Sequence, residues 1–392
     1  MDVHLTIFKT VCFYKLSQFL LLLFFGKRHP QKYNKIKKKK KKMKQNKKAR
    51  SLNVLCPTRE RHPFVDQKHD FFKLIKCPNM RNVTFENGTN SEAVYAACTD
   101  STFQTVYFRN MTQTKRVAGS YLLQITQTFS MESGSNELLL SDIHMTNILF
   151  PIGILSGFGN SITTIRLLSS TFVNAVGAIS WIAAYSMEVS DVTMTQTSWN
   201  GNWISPNSSV LSFQDAFQFN IIRSTFLNNH WQSRMGGVVY ANNIYNMSIV
   251  DCTFTNNSAV DGGGVILTVS TTLLDINKCT FVDNGCNGDG GAIYLAEDPD
   301  HIWNVHSVVT ISKSTFQNNF AYHSGGAVRM NQGKLILTDS SFYGNIAQTG
   351  GALTLTDLNK LIITGCKFVN NTAFTYGGVL ADIHDGGIRE PG

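Results

Sequence analysis

Lys334-Leu-Ile-Leu-Thr-Asp-Ser-Ser-Phe342-Tyr-Gly-Asn345 leads into Gly350-Gly351-Ala352-Leu353, and the phrase then returns as Lys360-Leu-Ile-Ile-Thr-Gly-Cys-Lys-Phe368-Val-Asn-Asn371 and Gly377-Gly378-Val379-Leu380. A phrase repeated at this length decides the fold, because it describes a unit that stacks on copies of itself. Taking the aromatic or apolar anchor as the origin, the units centre on Met145, Phe172, Trp199, Phe226, Phe254, Phe281, Phe316, Phe342 and Phe368. Their spacings are 27, 27, 27, 28, 27, 35, 26 and 26 residues, with one long unit between Phe281 and Phe316.

Further columns keep register with the anchor. Seven residues before it stand Leu138, Ile165, Val192, Phe219, Met247, Leu274, Val309, Leu335 and Leu361. Five before it stand Leu140, Leu167, Met194, Ile221, Ile249, Ile276, Ile311, Leu337 and Ile363. Two before it the residue is small, from Ser170 and Thr197 through Ser224, Cys252, Cys279, Ser314 and Ser340 to Cys366, with Ile143 the exception. Three after it come Asn202, Asn229, Asn257, Asn284, Asn319, Asn345 and Asn371, while the first two units carry Ile148 and Ala175. A Gly-Gly pair follows in six units, from Gly236-Gly237 to Gly377-Gly378, and Ser208-Ser209 stands in its place in the Trp199 unit.

The step of two within each apolar pair is a strand period, and the step of three between the pairs implies a bend. A further short strand follows the glycines, as in Ala292-Ile-Tyr-Leu295. One unit of three short strands and three turns has too little apolar surface to fold alone, whereas stacked units bury a continuous core. The expected fold is therefore all-β: a parallel β-helix solenoid of about nine to eleven coils. Stacking places Phe226, Phe254, Phe281, Phe316, Phe342 and Phe368 in one ladder, and Asn229, Asn257, Asn284, Asn319, Asn345 and Asn371 in another, with amides bonding from rung to rung. The glycines suit a positive-φ turn or a place where a Cβ would strike the next coil. Nine rungs at a strand spacing of ~4.8 Å make a rod of roughly 40 Å. A β-sandwich with chance periodicity is the alternative.

Residues in this register resemble the repeats of chlamydial polymorphic outer membrane proteins, whose marks are GGA-[ILV] and FxxN. Here the marks read Gly290-Gly-Ala-Ile293, Gly325-Gly-Ala-Val328 and Gly350-Gly-Ala-Leu353, with Phe226/Asn229 through Phe368/Asn371. The match covers roughly residues 136–385 and is strongest from 224. The resemblance implies a right-handed β-helix of pectin-lyase-like kind and a role in adhesion or surface display.

The formal net charge of +9 over 392 residues is uneven. Residues 1–50 hold 16 Lys or Arg against Asp2 alone; the remainder holds 19 against 25, which is −6. The basic balance thus belongs to a tail, and no nucleic acid is expected on the folded body. Within the tail, the apolar run Phe19–Phe25 follows Lys9 and Lys15 and has the length of a signal h-region. Gly26-Lys-Arg and the unbroken Lys37–Lys42 come next, a poor cleavage context. Residues 1–50 read as a disordered extension or a segment outside the natural mature protein, with a signal or membrane anchor, or a polyanion-binding tail, as the other readings. Residues 51–135 read as an irregular N-terminal cap in which Phe85 and Phe103 anchor imperfect coils, and residues 136–385 as the repeat domain. Val379–His384 starts another coil near Gly392, so a continuation or a covering partner is expected there.

The long unit inserts Ala296–Trp303. Glu297, Asp298, Asp300 and His301 offer the oxygens that Ca²⁺ favours, but without regular metal spacing, so the insertion reads as a solvated loop and no metal or cofactor is expected. Polysaccharide cleavage wants two carboxylates close together. The polar column at the bend reads Asp142, Ser169, Gln196, Arg223, Asp251, Lys278, Lys313, Asp339 and Gly365, with no two neighbours acidic. Arg223, Asp251 and Lys278 read as inter-coil pairs. The outward column after the glycines, Tyr240, Leu267, Tyr294, Arg329, Thr354 and Ala381, has no acid. No catalytic residue is expected. The eight cysteines include no CxxC. Cys252 and Cys279 share a buried small-residue column, with a disulfide as the alternative, and Cys56, Cys77 and Cys98 could staple the cap of an exported chain. Sequons at Asn82, Asn87, Asn110, Asn207, Asn246, Asn256 and Asn370 fit an extracellular setting.

The expected function is noncatalytic adhesion or display at a cell surface or outside the cell, through outward side chains and the 296–306 loop. No motif names the partner; a glycan or a cell-surface protein is the expected class, with membrane association through the N-terminal segment. The alternatives are a carbohydrate-active enzyme, lyase or hydrolase, on the same fold and a purely structural spacer.

Overall fold

The computed structural model describes residues 73–74, 79–86, 94–97, 101–111, 123–126, 136–148, 152–155, 163–175, 179–182, 186–195, 198–199, 209–231, 236–296, 307–384 and 387–389. The chain divides into residues 1–58 and 59–392, and all described residues belong to the second unit. The N-terminal extension and the 297–306 insertion of the sequence analysis lie outside the described residues.

The described chain is all-β, in a 28-stranded and a 7-stranded sheet. The unit around Phe281 shows the plan. Leu273–Asn277 runs to a bend at Lys278, Thr280–Val282 to a bend at Asp283, then come Gly285–Cys286, a glycine turn and Ile293–Ala296. Each piece alternates inward and outward side chains, so Leu274, Ile276, Phe281, Cys286, Ile293 and Leu295 are all buried. Each piece is also hydrogen-bonded in parallel to its counterpart one unit on: Leu274 opposite Val309, Phe281 opposite Phe316, Cys286 opposite Ala321 and Ile293 opposite Val328. Among the described strands the antiparallel exception is Leu380–His384 with Gly387–Arg389.

The anchor column runs without a break through Phe85, Phe108, Met145, Phe172, Met194, Phe226, Phe254, Phe281, Phe316, Phe342 and Phe368. Two of its members correct the sequence reading. Met194, not Trp199, lies between Phe172 and Phe226, and Met187 and Val189 fill the two apolar columns before it. Trp199 pairs with Trp231 in the second sheet, five residues beyond the anchor. Likewise Phe108, not Phe103, is paired with Met145, while Phe103 lies opposite Leu140. Strands Asn79–Glu86 and Ser101–Met111 thus share the register of the later units.

Three residues before every anchor the backbone turns through the left-handed region. Asn82, Thr105, Asp142, Ser169, Asp191, Arg223, Asp251, Lys278, Lys313 and Asp339 have φ between 45° and 56°, and Gly365 has 67°. Asp191 therefore replaces Gln196 in this column. A single left-handed residue between two extended segments redirects the strand sharply, and the position is solvent-facing, which polar residues tolerate. Two residues after the anchor the same conformation recurs at Asn174, Asn228, Asn256, Asp283, Asn318, Gly344 and Asn370. These two bends wrap each unit around the core.

The Gly-Gly turn divides its labour. The first glycine adopts positive φ at Gly263, Gly290, Gly325, Gly350 and Gly377. The second faces the neighbouring turn so closely that a Cβ on Gly291 would overlap the Gly326 carbonyl oxygen, and one on Gly326 the Gly351 oxygen. One position needs the conformation and the other needs the absence of a side chain.

Candidate functional site

The Phe ladder runs through the buried core. Phe226, Phe254, Phe281, Phe316 and Phe342 are fully buried and Phe368 is half-buried. Successive rings stack at centroid separations of 5.1, 4.9, 4.6, 4.8 and 4.8 Å, within 10° of coplanar. Full burial of each ring contributes about 2–3 kcal/mol, and each ring contact about 1 kcal/mol more.

The Asn ladder serves the turn that follows. Asn229, Asn257, Asn284, Asn319 and Asn345 each give both the backbone N–H and the Nδ2 group to Oδ1 of the next asparagine, at 2.8–3.1 Å. Nδ2 also donates to the anchor carbonyl of the preceding unit: Asn229 to Met194, Asn284 to Phe254, and Asn371 to Phe342. One side chain therefore satisfies three backbone or amide groups in a buried turn, where orphaned groups cost most. In the Met194 unit the residue three after the anchor is Thr197, which, like Asn202, lies outside the described residues.

The small residue two before the anchor is a third ladder. Ser170, Ser224, Ser314 and Ser340 donate Oγ–H to the carbonyl two residues earlier, at 2.7–2.9 Å. Cys252 and Cys279 do the same with sulfur, at 3.2 and 3.3 Å. Both cysteines, with buried Cys286 and half-buried Cys366, are free thiols rather than disulfides. Burial pushes the Cys286 thiol up to about 12. The Cys279 thiol is raised by its hydrogen bond with Cys252 and by burial.

Outward side chains are left for chemistry. At the first bend Arg223 grips Asp191 of the preceding unit with Nε to Oδ1 at 2.7 Å and an Nη2 bond to Oδ2 at 2.8 Å. That hydrogen-bonded guanidinium holds the Asp191 carboxyl below the usual carboxylate range. Lys278 Nζ stands 4.0 Å from Asp251 Oδ1. The column reads Asp142, Ser169, Asp191, Arg223, Asp251, Lys278, Lys313, Asp339, Gly365, so no two neighbours in it are acidic. By the glycine turns, Ser324 Oγ donates to Asp289 and accepts from Arg329 Nη1 at 3.1 Å. Arg329 Nε also bonds Asn331, whose amide reaches the Tyr294 hydroxyl at 3.3 Å. The Ser324 hydroxyl is clamped between a carboxylate and a guanidinium, an arrangement that orients side chains. Sequence reading passed over it because Asp289 lies in the turn, outside the strand columns.

Three sequon asparagines, Asn82, Asn256 and Asn370, sit exposed at positive-φ bends. Asn256 Nδ2 donates to Asn228 Oδ1 at 2.7 Å. Asn246 is half-buried in the strand Val239–Val250, and Asn110 lies in the strand Ser101–Met111. Asn87 and Asn207 lie outside the described residues. Sequence reasoning missed the column of bend asparagines itself, although the doublets Asn228-Asn229, Asn256-Asn257, Asn318-Asn319 and Asn370-Asn371 signal it: the first residue bends the chain and the second turns inward, buried in the first three and half-buried at Asn371.

Residues 251–269 and 278–296 match one family model, each stretch running from a bend residue through Phe, Asn and the glycines to the end of the next strand. The chain carries the Chlamydia polymorphic membrane protein (Chlamydia_PMP) repeat. That repeat points, at a coarse level, to a surface or outer-membrane protein. No curated protein and no solved structure matches the chain. Among the described residues no helix is long and apolar enough to cross a membrane, which says nothing of strands.

Proposed function

We propose that the chain is a noncatalytic, surface-displayed or secreted binding protein built on a right-handed parallel β-helix of pectin-lyase-like kind. Parallel pairing of the described repeat strands with their counterparts one unit on supports the helix, and the right-handed preference of parallel crossovers supports its hand. The observation that carries the functional reading is what the repeat's own residues do. In the matched stretches Phe254, Phe281, Asn257, Asn284 and the paired glycines are all consumed by stacking. The repeat specifies a scaffold, and specificity falls to outward side chains, which the repeat leaves free to vary. Adhesion, to a glycan or a cell-surface protein, is the function such a rigid displayed surface supports.

The test is binding of the purified full chain to cells and immobilised glycans, alongside incubation with polysaccharides. Attachment without turnover is expected. Release of reducing ends or unsaturated sugars would instead establish a carbohydrate-active enzyme, and the absence of attachment to any surface a spacer.

A further inference from the structure

The strands that follow the glycine turns carry, on their outward face, a cation without a counter-charge. Arg329 lies directly opposite Tyr294 of the preceding unit, with Leu267 one unit before that and Thr354 one unit after in the same column. Leu267 is 5% exposed, and Thr354 is fully buried with its hydroxyl spent on the Thr349 carbonyl. Arg329 and Tyr294, both half-buried, thus sit between neighbours that offer them nothing polar. Arg329 makes no ion pair with any described residue: Ser324 stands between it and Asp289, hydrogen-bonded to both. A charge drawn partly out of water without a partner costs free energy that a ligand of opposite sign returns.

The hydrogen bonds already made define what is left over. Arg329 spends Nε on Asn331 Oδ1 and one N–H of Nη1 on Ser324, which fixes the plane of the guanidinium and leaves Nη2 without a partner among the described residues. Asn331 gives one amide hydrogen to the Tyr294 hydroxyl oxygen and keeps the other. That oxygen accepts, so its own O–H is free to donate. Burial, and after it the Asp289 charge, push the Tyr294 hydroxyl up, so it keeps its proton. Thr356, opposite Asn331 on the next strand, adds a buried hydroxyl with no partner. The free groups of Arg329, Tyr294 and Asn331 are therefore all donors, gathered around one positive charge. Their complement is an anion rich in acceptors, and a guanidinium held in a plane matches a carboxylate. Along the described column from Tyr240 to Ala381, Arg329 is the one cation. A polyanion, which needs a row of cations, gains one contact here. A single carboxylate set among hydroxyls, as in an acidic sugar, uses the charge and the leftover donors together.

Deepening the reading of the chain as an adhesive binding protein, on which it rests, we propose that Arg329, Tyr294 and Asn331 hold the carboxylate of an acidic sugar, a sialic or a uronic acid. The test is saturation-transfer NMR of the purified full chain with sialyllactose, a glucuronic acid disaccharide and neutral lactose. Physiological salt screens the basic N-terminal segment. Transfer to at least one acidic sugar and none to lactose is expected, and which one responds tells sialic from uronic acid. Arg329→Gln should weaken binding about tenfold or more, the scale of a charge-assisted hydrogen bond. Tyr294→Phe, which keeps the ring and loses the donor, should weaken it about threefold to tenfold. Arg223→Gln, at a cation already paired with Asp191 on another face, leaves it unchanged. Circular dichroism verifies folding, and Tyr294→Phe alone decides if Arg329→Gln does not fold. The assignment is overturned by no transfer to either acidic sugar, by equal transfer to lactose, or by binding that the two site variants leave intact. Attachment of the chain to cells without any acidic-sugar binding would remove this site and leave adhesion standing.

Discussion

Asn345 lies one unit beyond Asn319, and its Oδ1 accepts both the backbone N–H and the Nδ2 group of Asn319, at 3.0 and 2.9 Å. Both residues are fully buried. Asn319 in turn accepts the same pair of donors from Asn284 and reaches the Phe281 carbonyl at 3.0 Å. Asn319→Ala therefore strips two donors on Asn284 of their acceptor, takes the side-chain donor from the Phe281 carbonyl, and leaves Asn345 Oδ1 with the Asn319 backbone N–H alone. At about 1–3 kcal/mol per buried unsatisfied group, the loss should exceed about 3 kcal/mol. Urea unfolding measures it, and Asn319→Asp, which keeps the acceptor but loses the donors and buries a carboxyl, should not restore the stability.

Phe316 is stacked on both faces, by Phe281 at 4.6 Å and Phe342 at 4.8 Å. Phe316→Ala should cost about 3–5 kcal/mol, as large-to-small core changes do. Phe316→Leu, which refills most of the volume but forfeits both ring contacts, should cost about 1–2 kcal/mol. A larger effect for Leu than for Ala would show that shape, not burial, rules this ladder.

Two glycines separate conformation from space. A Cβ on Gly326 would overlap the Gly351 carbonyl oxygen and crowd the Ile346 backbone, neither of which can yield. Gly326→Ala should therefore destabilise by more than about 2 kcal/mol. Gly344, at φ 61°, occupies the bend where Asn318 and Asn370 stand in the flanking units, and its nearest obstacle is the movable Asn318 side chain. Gly344→Asn should stay within about 0.5 kcal/mol of the parent. Thermal melts of the two variants side by side distinguish them.

The sequence showed the strand character, the stacking partners of every unit from Phe226 onward, and the Phe and Asn columns. It misplaced two earlier anchors by the same five residues, at Trp199 for Met194 and at Phe103 for Phe108. The reason is internal to the pattern. An apolar pair two apart occurs seven and five before the anchor, and the pair ending at the anchor has the same step, five residues later. A register slipped by five therefore still puts apolar residues on apolar columns, as Val192 and Met194 did. A constant period favoured the slip, because the real unit lengths there are 22 and 32 residues (172 to 194, 194 to 226). What breaks the tie is the bend, since Asp191 suits positive φ and faces solvent, whereas Asn202, three after Trp199, favoured the slipped register. The outward cluster of Asp289, Ser324 and Arg329 was illegible for a different reason, since turn residues carry no periodic signal.

Thiol reactivity should follow burial. At pH 8 iodoacetamide should modify half-exposed Cys366 in the folded protein and spare Cys252, Cys279 and Cys286, which react only after denaturation. The elevated Cys286 and Cys279 thiols strengthen the contrast, because thiolate is the reacting form. Mass spectrometry of labelled peptides reads it out, and native labelling of Cys279 would mean that the core opens at its middle units.

The Asp191–Arg223 pair sets an acid-side dependence. A carboxyl whose folded pKa is depressed contributes its stability above the unfolded value, about 3.9, and loses it as pH falls through the folded value. The effect is confined to the region below about pH 4 and is small, because both groups are exposed and screened. Arg223→Gln should return the Asp191 titration, followed by carboxyl NMR shifts, toward the ordinary range, with little change in stability at neutral pH.

The variable distance between anchors, with the same columns paired from one unit to the next, has a hereditary consequence. Each layer meets its two neighbours through the same partners, so duplication or excision of a whole layer joins surfaces that already fit. Genes encoding such a protein can lengthen or shorten by recombination without inventing a new core, and the decoration of the outside is then free to diverge layer by layer.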